Sequence, residues 1–142
     1  MLAADEPVRN VVLRYFHALD RRDYDMVSDC FDENVTATYG GEAMPSGAAA
    51  LTDELRKRMD RLGVTMHFAG NLLVSIEEDG ATAETYAIAF VSDAGAQGAA
   101  RMRVRGLRYH DRLVLTAAGW KISERVHSVR WSFETDGQVF PN

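Results

Sequence analysis

The early apolar residues fall at helical spacing, and those after residue 63 fall in alternation. Val8, Val11, Val12, Tyr15 and Leu19 predict a first amphipathic helix, with Asp5 and Pro7 as its start signals. Asp23 can cap a second, short helix striped by Tyr24, Val27 and Phe31. Val35–Gly40 predicts a strand running into Gly40-Gly41. A third helix is expected from a Ser46 cap, with Leu51, Leu55, Met59 and Leu62 on one side and Gly63 as its stop. From Val64 to Ile76 two faces separate: Val64, Met66, Phe68, Leu72, Val74 and Ile76 on one, Thr65, His67, Asn71 and Ser75 on the other. A turn at Glu78-Asp79-Gly80 leads to a strand over 81–91, and a loop over 93–98 follows. Strands over 102–115 and 120–131, joined by a turn at 116–119, complete the pattern.

Helices followed by a long meander predict an α+β chain with three N-terminal helices on one face of a mostly antiparallel sheet. Long strands in a small sheet must coil, so a sheet cupped around the helices is expected, with a pocket between the two layers. The 142 residues are read as one domain spanning 1–142.

Composition removes several functions. A net charge of −5 is a poor match for a nucleic-acid partner. The basic run Arg101, Arg103, Arg105 and Arg108 reads as one solvated strand face. Cys30 is the only cysteine, so no internal disulfide or cysteine metal site is available, and it reads as a small buried hydrophobe. The histidines His17, His67, His110 and His127 form no HxH or HxxxH pair, so no metal is expected. The opening MLAADEPVRN lacks an apolar leader and nothing has the length of a membrane span, so a cytoplasmic protein without a membrane partner is expected.

Four groups could carry chemistry. His67 lies on the polar face of its strand. Alternation alone turns it to solvent; if that face lines a cavity, it becomes a base able to work near neutrality. Asp20 ends the first helix, where the dipole disfavours an acid, a local misfit expected of a residue kept to hold a histidine N–H. Tyr15, Tyr39, Tyr86 and Tyr109 sit inside elements, where they either pack or present hydroxyls to a substrate oxygen. On the last strand Ser123, Arg125, His127 and Val129 share a face opposite Trp120, Ile122 and Val126, with solvent exposure the simpler reading. His110 and Asp111 are adjacent in a strand, so at most one of them joins a site.

The phrases from Arg14 to Asp25 (RYFHALDRRDYD) and from Cys30 to Val35 (CFDENV) resemble the opening of SnoaL-like proteins, which have the cone-shaped fold of nuclear transport factor 2. The likeness continues through Tyr39-Gly40-Gly41, Thr65–Asn71, Tyr109–Leu113 and Gly119–Ile122. Within that group the chain is most similar to scytalone dehydratase and hexachlorocyclohexane dehydrochlorinase, which use an Asp–His pair. The resemblance implies Asp20 and His67 as that pair, with His67 removing a proton from carbon and Asp20 fixing its tautomer. It also implies Tyr39, Tyr109, His127 and Tyr15 as substrate-binding residues, a pocket wall at Arg125, His127 and Val129, polar strand positions near Leu107 and Tyr109, and a tail in which Phe133 and Phe140 cover the pocket.

Departures accompany the likeness. The dehydratase's second histidine falls near Ser92 here, and the dehydrochlorinase's arginine falls near His110. Ketosteroid isomerase is also similar, with Tyr15 at its oxyanion tyrosine, but Tyr39 occupies its catalytic aspartate position. The expected function is a cofactor-independent lyase or isomerase, dehydratase-like, acting on a small, largely apolar or aromatic molecule. The alternatives are a non-catalytic small-ligand-binding or accessory protein, or the structural β-subunit of a ring-hydroxylating dioxygenase. A homodimer or homotrimer is implied by the resemblance.

Overall fold

The computed structural model describes residues 3–141; Met1 and Leu2 of the opening segment, and Asn142, lie outside it. Helix α1 (Glu6–Arg21) carries Pro7 in its first turn and buries the predicted stripe. Asp5 sits at its N-cap without a capping bond; its carboxylate instead receives Arg9 Nε at 2.7 Å. Helix α2 (Tyr24–Asp29) starts as expected, Asp23 accepting the Met26 N–H. Phe31, placed by spacing on that helix, instead opens strand β1 (Phe31–Tyr39). A two-residue strand β2 (Glu42–Ala43) follows the Gly40-Gly41 turn.

Helix α3 (Ala48–Met59) is preceded by Gly47, not capped by Ser46; a φ of +94° at Gly47 favours glycine there. Nor does Gly63 stop that helix. It lies inside β3 (Leu62–Glu77), where a Cβ would meet the Asp93 carbonyl oxygen.

Strands β4 (Gly80–Asp93), β5 (Gly98–Thr116) and β6 (Gly119–Val139) complete one six-stranded sheet in the order β2-β1-β6-β5-β4-β3. Among the described residues the β1–β6 pairing is parallel and the others are antiparallel. The three helices pack on one face of this curved sheet, giving the expected α+β cone.

Among the sheet's register shifts, including one between Leu62 and Thr65 at the start of β3, three overturn the alternation read from the sequence. Asn71, at φ +50°, adds a residue to β3 opposite β4. Before it Thr65, His67 and Ala69 point inward while Val64, Met66 and Phe68 point out; after it Leu72 and Val74 point inward. The six apolar residues expected on one face of β3 are therefore split between two, because a bulge shifts the two-residue period by half a cycle. In β6 a similar shift near Ser123 lets Ile122 and Arg125 share the inner face, so Ser123 is not aligned with Arg125, His127 and Val129 as expected. A third shift, at Arg130, turns Trp131 and Phe133 outward, where their rings stack at 5.9 Å. Phe133 and Phe140 therefore do not cover the cavity: β6 continues alongside β5 to Val139, and both rings are exposed.

The basic run is also divided. Arg108 stacks on Tyr86 on the outer face, whereas Arg101, Arg103 and Arg105 alternate with it and share the helix side. Cys30 is buried as expected, and burial pushes its thiol up to about 11, so it is protonated at neutral pH. Among the described residues no helix is long and apolar enough to cross a membrane, and no cluster of three potential metal ligands occurs.

Candidate functional site

Strand β4 turns Ala81, Ala83, Ala87 and Ala89 toward the helices, and the short side chain of Ala89 leaves space against α1 and α3. The space is a cavity of about 210 Å³ with walls from α1, the end of β1, α3 and strands β3 to β6. Two roomier grooves, about 600 and 350 Å³, lie on the outer face of the sheet, the larger reaching across β1, β6, β5, β4 and β3; neither contains His67. We take the smaller cavity as the candidate site because the titratable and hydroxyl groups converge there.

His67 and Asp20 meet at its wall. The His67 Nδ1 lies 2.7 Å from Asp20 Oδ1, and the His67 backbone N–H donates to Asp20 Oδ2 at 2.7 Å. Thr65 adds a third bond, its hydroxyl donating to Oδ1 at 2.9 Å. All three donors belong to residues 65 and 67, whose side chains the period of β3 places on one face, so the strand itself builds the cradle. Helix α1 delivers the acid. It ends on Arg22 in the left-handed conformation (φ 60°), and the Arg22 guanidinium crosses to β3, donating to Thr65 Oγ1 and the Gly63 carbonyl at 2.7 Å each. Burial alone would raise the Asp20 pKa, but the bonds from the His67 side chain and backbone outweigh it and hold the carboxyl below the usual range. An ionised carboxylate only accepts, so the neutral His67 ring carries its proton on Nδ1 and keeps the lone pair on Nε2. The ring is nearly buried and packs 5.6 Å from Phe16.

The tyrosines divide. Tyr15, Tyr39 and Tyr109 line the cavity, whereas Tyr86 faces outward under Arg108. The Tyr15 and Tyr39 hydroxyls share a 2.8 Å hydrogen bond, and burial raises the pKa of Tyr15 and Tyr109, keeping both protonated. His127 stacks on Tyr39 at 4.8 Å and meets Tyr109 edge-on at 5.0 Å. Among the described residues its buried Nδ1 has no hydrogen-bond partner, and burial, followed by the charge of nearby Arg125, lowers its pKa to about 4. At neutral pH His127 is an uncharged imidazole.

Beneath these rings lies a buried ion pair. Arg125, expected to meet solvent or line the pocket wall, is fully buried and grips Asp111 with two bonds of 2.8 and 2.9 Å. Its third reach, 3.3 Å, goes to the Tyr39 hydroxyl, and its guanidinium lies 4.2 Å from the Tyr15 ring centre and 4.7 Å from that of Tyr109. Burial opposes its charge, but Asp111 overcomes this and raises the Arg125 pKa well above the usual value. Of the adjacent pair on β5, Asp111 is thus the inward one. His110 lies on the outer face, 4.0 Å from Glu84, and supplies no charge to the cavity. Ser92 does not face the cavity either: it binds the Val64 N–H at 2.9 Å where β3 bulges, and β4 offers Ala89 and Val91 to the site.

Sequence reasoning misses Arg22 and Thr65 as parts of the site, and it leaves Asp111 open as one of an adjacent pair with His110. For Asp111 the signal was present: Leu107, Tyr109, Asp111 and Leu113 form one alternating series, so an acid stands in an apolar phase.

No curated protein matches the sequence. Among solved structures, a candidate scytalone dehydratase from Novosphingobium aromaticivorans superposes with a TM-score of 0.79 at 16% identity, over 95% of this chain and 90% of the other. A candidate aromatic ring hydroxylase from the same species gives 0.79 at 19% identity, over 96% of each chain. The LinA-type3 hexachlorocyclohexane dehydrochlorinase of Novosphingobium barchaimii gives 0.82 at 12% identity, over 96% of this chain and 92% of the other. Such identities establish the shared fold alone. The sequence model of the SnoaL-like domain matches residues 1–126, so the chain belongs to the SnoaL-like family.

Proposed function

We propose that the protein is a cofactor-independent lyase or isomerase that removes a proton from a carbon atom of a small, largely apolar or aromatic substrate. The observation that carries this reading is the Asp20–His67 contact at the cavity wall, 2.7 Å long, with both carboxylate oxygens already occupied by donors of β3. The arrangement fixes one tautomer. Nε2 accepts the proton from substrate carbon, and Asp20 stabilises the imidazolium that forms. The electron pair left on carbon moves either toward a carbonyl oxygen or to expel a leaving group on the neighbouring carbon. Tyr39, Tyr109 and Tyr15, protonated or paired as described, can donate to that oxygen, and neutral His127 offers a further polar contact.

The structural neighbours named for scytalone and hexachlorocyclohexane chemistry motivate the first substrates to try. Native and His67→Ala proteins would be incubated with scytalone, hexachlorocyclohexane and aryl ketones in deuterated water, following elimination and carbon-bound deuterium. A positioned base contributes roughly 10²–10⁴-fold, and at least that loss is expected in His67→Ala with an unchanged denaturation curve. Full turnover in that variant would refute the assignment.

A second reading, ligand binding without turnover, rests on one feature: β4 offers the cavity only Ala89 and Val91, where the dehydratase likeness implies a second histidine. Ligand affinity unaffected by Asp20→Asn, with no turnover, would favour it. We also infer a homodimer or homotrimer, because Met66 and Phe68 leave 61% and 71% of their surface exposed on the outer face, with Phe90, Trp131 and Phe133 exposed on the same side. Sedimentation at the monomer mass would overturn that inference.

A further inference from the structure

His67 is paired across the sheet with Ala89 of β4, Ala89 with Arg105 of β5, and Arg105 with Ser132 of β6. The row crosses the sheet on its helix side, and its first three members line the cavity. Neighbouring strands lie about 4.8 Å apart, so the His67 and Arg105 backbones are separated by roughly 10 Å. Between them stands a single methyl group. Imidazole and guanidinium thus flank an alanine-floored trough about as long as a small aromatic acid.

The charges around the trough are unequal. Arg103 is paired with Asp93 at 2.9 Å, and Arg101 with Asp136 at 2.8 Å and Glu134 at 3.6 Å. Arg58, the other cation at the cavity, is held by Glu42 at 3.1 Å and Glu54 at 3.4 Å. Arg105 has Ala89 and Ser132 as cross-strand neighbours, and among the described residues it makes neither an ion pair nor a side-chain hydrogen bond. Among the described residues the cavity's lining therefore holds one uncompensated cation and no carboxylate, Asp20 lying behind His67 with both oxygens taken by β3 donors.

We propose that the cavity takes a small molecule bearing a carboxylate, which Arg105 holds at one end of the row while the body lies over Ala89 toward His67. The part played by His67 rests on the proton-transfer reading above; the role of Arg105 does not. An apolar body suits the Ala89 and Leu107 walls, and a guanidinium matches a carboxylate with two parallel bonds.

The test uses benzoate and its uncharged counterpart benzamide, titrated into the full chain at pH 7 and low salt by calorimetry or NMR. Benzoate is expected to bind about ten-fold more tightly, with the margin shrinking as salt is added. Arg105→Gln should bring the two ligands to equal affinity and Arg105→Lys should recover part of the margin. Arg130→Gln, on the outer groove, should leave it intact. Equal binding to the native protein, a margin that survives Arg105→Gln, or no binding of either compound would overturn the proposal. A protein that exchanges carbon-bound deuterium through His67 yet shows no margin would lose this inference and keep the catalytic one. An Arg105-dependent margin beside a fully active His67→Ala protein would do the reverse.

Discussion

Replacing Asp20 by asparagine keeps the shape of the side chain and inverts half of its hydrogen-bonding chemistry. The carboxylate accepts three bonds, two at Oδ1, from His67 Nδ1 and Thr65, and one at Oδ2, from the His67 backbone. An amide has one acceptor oxygen and one donor group. If its oxygen keeps the Oδ1 place, the NH₂ confronts the His67 backbone N–H, and a largely buried donor loses its partner at about 1–3 kcal/mol. If the amide is reversed, the NH₂ faces Nδ1, and the imidazole must move its proton to Nε2 to accept it. Either arrangement also gives up a charge-assisted bond. We therefore expect Asp20→Asn to lose about 2 kcal/mol of stability and about 10²-fold or more in turnover. Urea denaturation measures the first, and nitrogen-15 NMR of the His67 ring identifies the protonated nitrogen without any substrate. A native ring protonated on Nε2, or an Asp20→Asn protein with the native tautomer and midpoint, would refute this account of the pair.

Two further perturbations test the interior. His127 is held to about 4 chiefly by burial, whereas an unfolded histidine titrates near 6.5, so between these values the unfolded chain binds more protons. Stability should fall as pH drops from 6.5 to 4, by up to about 3 kcal/mol, and His127→Phe should flatten that slope in urea denaturation; an unchanged slope would count against it. Asp111→Ala strands the Arg125 charge in the core and should cost about 3–5 kcal/mol. The double change Asp111→Leu with Arg125→Met should recover most of that loss, and a single variant within about 1 kcal/mol of native would contradict the burial argument.

Much of this architecture was legible because local rules and tertiary demands agree. The stripe on α1, the Asp23 cap and the turn at Gly80 have local causes, and the structure shows them in place. The errors gather where one residue changes the phase of a strand. Asn71 divides the apolar face of β3, Ser123 brings Arg125 indoors, and Arg130 sends Phe133 away from the cavity. Alternation is read over a whole strand, so it cannot locate a shift set by the neighbouring strand's register. The proximity of Asp20 to His67 came from likeness to other proteins rather than from spacing, since the two are 47 positions apart. The ion pair under the tyrosines was hidden for a related reason: Asp111 was visible in an apolar phase, but its partner became an inward residue only through the shift at Ser123.

The shift at Asn71 also makes β3 a strand with two separately addressed halves. Its left-handed backbone works as a clutch: the half holding the imidazole and the half holding Leu72 and Val74 can both engage the interior only while the extra residue is present. Losing that one residue would leave the composition almost untouched yet rotate one half against the other, exposing either the aliphatic pair or the imidazole. Length at this point in the chain is therefore constrained more tightly than side-chain identity, and lineages of such proteins should trade substitutions around position 71 far more readily than they trade insertions or deletions.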